Sequence, residues 1–152
     1  MLAIVLVVII TIIINSSGRN RIISSQTGSD LADSSSFVSI RTPSGVIRAL
    51  IASTSAEQTK GLGQKDSLPA DEGLLFIFPQ QGSYGFWMKD MKFPIDIIWI
   101  NEDRSVAGIS DNISPLSYPA TYFPPKPILY VLEINAASAG RYGIATGTKL
   151  AF

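Results

Sequence analysis

The chain has 152 residues, with 12 Lys+Arg balanced by 12 Asp+Glu and neither Cys nor His. That length fits one domain of ordinary size plus an extension, and zero formal net charge gives no electrostatic support to nucleic-acid binding. Without Cys or His there can be no disulfide, thiolate or imidazole metal site, Cys nucleophile or Ser-His-Asp triad, and neither a metal nor another cofactor is expected.

Residues 1–14, MLAIVLVVIITIII, are apolar except at Thr11. As a helix this run spans about 21 Å, against about 30 Å for a bilayer core. It is short for a full transmembrane span and suits a signal-peptide core. Arg19 and Arg21 follow the run and no basic residue precedes it, which argues for a cytoplasmic C-terminus and conflicts with export. A start site lying upstream would remove the conflict. Lacking Cys, the chain cannot carry a lipoprotein anchor. The expectation is a hydrophobic signal or membrane-anchor segment, with the globular domain extracytoplasmic. Residues 15–36 hold eight Ser among 22 positions and read as a flexible linker with a reach of roughly 26 Å.

The globular domain is expected over 37–152. Phe37–Arg41 alternates apolar and polar residues as a half-buried strand does. Thr42-Pro43-Ser44-Gly45 is a turn, and Val46–Ala52 returns as the second strand of a hairpin. Thr54-Ser55-Ala56-Glu57 fits a capping box, so a short helix should follow and end near Gly61 or Gly63. Leu74–Phe78 is a strand stopped by Pro79, with a turn over Gln80–Ser83. Tyr84–Met88 and Ile95–Ile100 are strands, and Asn101–Arg104 turns the chain into Ser105–Ile109. A Pro-studded loop carries Tyr118, Tyr122 and Phe123. Ile128–Ile134 is a further buried strand. Asn135 can cap a helical turn through Arg141, which Gly143 can end, and Lys149–Phe152 closes the sheet. The predicted class is mostly β: a compact sandwich or jelly-roll-like barrel with one or two short helices.

Two carboxylates stand where carboxylates are costly. Asp96 lies in Ile95–Ile100, and Glu133 in Val131-Leu132-Glu133-Ile134. If both strands are interior, each needs a partner, with Arg48, Lys65, Lys89, Lys92 and backbone N–H groups as candidates. They can tie down loops, or line a common cleft that binds sugar hydroxyls or does acid/base work. Phe86-Trp87-Met88-Lys89-Asp90 is the densest unusual stretch. A Trp there favours the core, and the alternative is a ring that stacks on a ligand. Pro94 should sit at a strand entrance.

The order of these motifs resembles the domain of unknown function 192 family, over roughly Val46–Leu150. Glu57-Gln58-Thr59-Lys60-Gly61-Leu62 resembles its helix end, and Asp71-Glu72-Gly73-Leu74-Leu75-Phe76-Ile77-Phe78 its Gly-led strand. Phe86-Trp87-Met88-Lys89-Asp90-Met91-Lys92-Phe93-Pro94-Ile95-Asp96-Ile97 is similar to its Trp-Met-Lys…Pro-x-Asp signature, and Tyr130-Val131-Leu132-Glu133-Ile134 to its Val-Leu-Glu strand. The chain departs from the pattern at Lys65, where Arg is usual, at Asp90-Met91, where Asn-Thr is usual, and at Ala136-Ala137, where a Gly is usual. The resemblance implies a compact mostly β fold and an N-terminal export or anchor segment, and no reaction. Carried over by position, Trp87, Lys89, Asp90, Asp96 and Glu133 are candidate ligand-binding residues. Glu57, Gly61, Gly73, Met88 and Pro94 are structural members of the motifs.

Three readings of function stand at this stage. The leading one is a membrane-tethered or exported binding module for a cell-envelope ligand, such as a carbohydrate. The second is a carboxylate-based glycan hydrolase or lyase using Asp96 with another acid. The third is a structural domain that meets a protein partner.

Overall fold

The computed structural model describes residues 36–152. The hydrophobic segment 1–14 and the linker up to residue 35 lie outside the described residues. β1 (Phe37–Thr42) and β2 (Gly45–Ala52) form the expected hairpin, in register from Phe37↔Leu50 to Thr42↔Gly45. Their alternation buries Ile40, Ile47 and Ala49 on one face. α1 (Ser55–Lys60) starts on a complete capping box. The Thr54 hydroxyl accepts from the Glu57 N–H, and the Glu57 carboxylate accepts from the Thr54 N–H at 2.8 Å. α1 stops at Gly61, whose φ of 51° and ψ of −139° suit only a residue without a Cβ. The chain then crosses to β3 (Glu72–Gly82), which lies parallel to β2.

The remaining strands are β4 (Phe86–Trp87), β5 (Ile95–Ile100), β6 (Val106–Ile113), β7 (Thr121–Tyr122) and β8 (Ile128–Asn135), followed by α2 (Ser138–Arg141). One sheet has the order β1-β2-β3-β8-β5-β6, and β4 and β7 form a separate two-stranded ribbon. The fold is mostly β with two short helices, as expected. The sheet is open. Residues 147–151 bond to β1 through Arg41 and Ala151, and to the β6 edge through Val106, but only as isolated bridges. Among the described residues no helix is long and apolar enough to cross a membrane.

Every residue of β5 is buried, because the sheet carries a core on each face. On one face Ile98, Ile100, Leu132 and Ile134 pack with Ala139, Tyr142, Ile144 and Leu150 from α2 and the C-terminal segment. On the other, Ile95, Ile97, Trp99 and Val131 pack with Leu62, Leu68 and Met88, which follow α1 and β4. The second face carries the site described below.

Four local expectations change. β3 continues through Pro79 to Gly82, and its register against β8 shifts between Ile77 and Gly82, so the ladder does not need the N–H that proline lacks. The strand expected over Tyr84–Met88 keeps only Phe86–Trp87, which is as far as β7 reaches to pair with it. β6 begins one residue later than expected and runs on to Ile113 along β5. Asn135 does not cap α2. Its amide donates to the Leu68 carbonyl at 2.9 Å, and Ala137 takes the cap position without a side-chain hydrogen bond.

Candidate ligand-binding site

Asp96 and Glu133 do not share a cleft. Asp96 pairs with Ile134 across β5 and β8, and Glu133 pairs with Ile97. Residues directly opposed in an antiparallel ladder point the same way, so the two carboxyls leave the sheet on opposite faces. None of the four cationic partners considered from the sequence serves either of them. Lys92 bonds to Asp66 at 2.6 Å, and the Arg48 guanidinium lies 3.8 Å from the centroid of the Phe37 ring.

Asp96 is fully buried and answered by backbone. Its Oδ1 accepts from the N–H groups of Asn112 at 2.8 Å and Ala137 at 3.2 Å, and its Oδ2 from Ala139 at 2.9 Å. It thereby caps α2 from a neighbouring strand and fastens β6 to β5. It does not line the cavity described next. As a ligand-binding candidate it is corrected to a structural tether, because the alternation of β5 points it away from the open face.

Glu133 is different. It is 5% exposed, and its Oε2 is buried with no hydrogen-bond partner. Burial among apolar groups pushes its carboxyl up to about 8, so at pH 7 it is mostly the neutral acid, a hydrogen-bond donor. It lines a cavity of about 310 Å³ between the end of α1 and the β4 segment. The base is aromatic: Phe76 and Phe86 meet edge-to-face with centroids 4.9 Å apart, and Phe78 and Tyr84 stack at 3.6 Å. Gly61 stands over the acid. A Cβ there would lie 3.9 Å from Glu133 Oε2 and 3.6 Å from the Phe76 ring, so the missing side chain leaves space at the acid.

Trp87, Lys60 and Lys89 form the walls. Trp87 is 51% exposed, which corrects the sequence preference for a core position. Side chains alternate along this stretch, and the inward positions are taken by half-buried Phe86 of β4 and by buried Met88, the residue after it. Among the described residues no acidic group pairs with Lys60 or Lys89 within ion-pair distance. A second cavity of about 590 Å³ continues outward past Trp87 and both lysines to Asp90. The walls are tied together: the Gln64 N–H donates to the Asp90 carbonyl at 2.8 Å, and Gln58 of α1 donates to the Ile77 carbonyl of β3 at 2.9 Å.

Trp87, Lys89, Asp90 and Glu133 are therefore brought together, and Asp96 is not. Glu57 and Gly61 build the helix that forms one wall. Gly73 lies where β3 passes so close to β8 that a Cβ would be 2.9 Å from the Glu133 carbonyl. Met88 is buried beneath the wall, and Pro94 leads into β5, its carbonyl accepting from the Ala136 N–H at 3.2 Å. The sequence reading missed Lys60 and the aromatic base. Lys60 carries a signal only in hindsight, one residue before a left-handed glycine. Tyr118 and Phe123 remain half-exposed on the loop, while Tyr122 pairs with Phe86 and packs against the second core.

The sequence model of DUF192, described as uncharacterized ACR, matches residues 38–152. A protein of unknown function from Novosphingobium aromaticivorans DSM 12444 is 37% identical, with a TM-score of 0.71 over 76% of this chain and 85% of that one. A "putative transcription regulator" from Sinorhizobium meliloti 1021 is 30% identical, with a TM-score of 0.69 over 76% of this chain and 91% of that one. No curated protein matches the chain.

Proposed function

The chain belongs to the DUF192 family, and from that premise we propose that it is a non-catalytic binding module, tethered to or exported across a membrane, whose ligand is a cell-envelope carbohydrate. The observation that carries this reading is the unpartnered Glu133 carboxyl at the floor of an open aromatic cavity. A buried polar atom left without a partner costs about 1–3 kcal/mol, and a ligand hydroxyl would relieve that cost. Trp87 supplies an exposed ring face of the kind on which a sugar ring packs. The apolar run at residues 1–14 supports tethering or export.

A catalytic reading of the Asp96–Glu133 pair has no support, since a glycosidase needs two carboxylates flanking one bond and these two face opposite sides of the sheet. The test is isothermal titration of the full-length chain in detergent against short envelope oligosaccharides. Binding by wild type that falls about tenfold or more in Trp87→Ala supports the module. Binding unchanged by Trp87→Ala, or no binding to any oligosaccharide, overturns it.

A further inference from the structure

Resting on that carbohydrate-binding reading, we propose that the ligand of this cleft is an acidic glycan, a sugar bearing a carboxylate or phosphate that is held between Lys60 and Lys89 while its ring packs on Trp87. Lys60 comes from the last turn of α1 and Lys89 from the segment after β4, so the sequence does not force them together. The fold does: both line the inner and the outer cavity. The bond from Gln64 N–H to the Asp90 carbonyl and the close approach of Gly63 to Lys60 and Lys89 hold the two segments in place.

The charge at the cleft is not balanced from within. Among the described residues the inner cavity has one carboxyl, Glu133, and burial keeps it mostly protonated at neutral pH. The outer cavity adds Asp90 alone. Two ammonium groups thus meet one carboxylate, and the deep end presents a neutral donor. A cationic ligand would face two like charges. An anionic substituent would meet two point-charge donors, while a ring hydroxyl or ring oxygen could accept from Glu133.

The full-length chain in detergent is titrated with a galacturonate trisaccharide and its neutral galactose counterpart, and with mannose 6-phosphate and mannose, at about 50 mM and about 500 mM salt. The expected result is that at least one acidic sugar binds about tenfold or more tighter than its neutral partner at low salt. That advantage should shrink at high salt and vanish in Lys60→Gln/Lys89→Gln. Preference for the uronate assigns the carboxylate, and preference for the sugar phosphate assigns the phosphate. Neutral and acidic sugars binding alike, with Trp87→Ala weakening both, would overturn the charge assignment and leave the carbohydrate module standing. No binding of any of the four sugars would overturn both.

Discussion

Ala137 holds φ at 62° and ψ at 5°, a left-handed conformation that costs an L-residue about 1–2 kcal/mol. The resemblance puts a glycine near this position, and the structure supplies the reason: the chain must turn here so that the N–H groups of Ala137 and Ala139 can both reach Asp96. Ala137→Gly should therefore stabilise the fold by about 0.5–1 kcal/mol, after allowing for the extra freedom of glycine in the unfolded chain. Urea titration checks it, and a decrease in stability would contradict the strain. Asp90, at φ 59°, is also left-handed. Asn and Asp tolerate this region better than most residues, so the exchange of one for the other leaves the backbone undisturbed and adds a charge at the outer cavity.

At the scale of elements, α2 has four residues and no cap of its own, too short to persist alone. It stands because Asp96 accepts from its first N–H groups and Ala139 packs into the first core. In Asp96→Asn one acceptor oxygen becomes an NH₂ that faces a backbone donor. We expect a loss of about 2–4 kcal/mol. Amide hydrogen exchange should accelerate at Ala137, Ala139 and Asn112, with the Trp87 cleft unaffected. Loss of cleft binding in a variant that retains its exchange protection would contradict the separation of the two faces. The capping box of α1 works differently, because its donors and acceptors all lie within residues 53–57.

At the scale of the whole molecule, Glu133 makes global stability depend on pH. Its carboxyl is raised from 4.5 to about 8 by burial, so between those values the folded state holds a proton that the unfolded state has released. Stability contributed by the neutral acid is complete below pH 4.5 and is lost as pH rises through about 8, by at most about 5 kcal/mol at roughly 1.4 kcal/mol per pH unit. Glu133→Gln keeps the shape and removes the ionisation. It should match wild type near pH 4.5 and exceed it increasingly toward pH 9 in thermal unfolding. Parallel curves across that range would contradict the raised carboxyl, because a group with the same affinity for protons in both states adds no pH dependence.

What the sequence determined by itself is local. The hairpin, the capping box and glycine stop of α1, and the span of β5 follow from turn chemistry, capping and alternation within a few residues, and the mostly β class follows from their sum. Its motifs also marked Trp87, Lys89, Asp90, Asp96 and Glu133 as candidates, without separating the two acids. Tertiary structure alone decided the rest. β4 is short because its partner β7 is short, and Pro79 stays in a strand because β8 shifts register beside it. Lys60 joins the cleft only because α1 crosses between parallel strands and ends above β8. Most decisive is the pairing of Asp96 with Ile134 and of Glu133 with Ile97. Two acids that looked equivalent in buried strands are sent to opposite faces by the register of β5 against β8, one to be satisfied by backbone donors and the other to wait at the floor of a cavity. Register is a relation between strands distant in sequence, and alternation within either strand leaves it open.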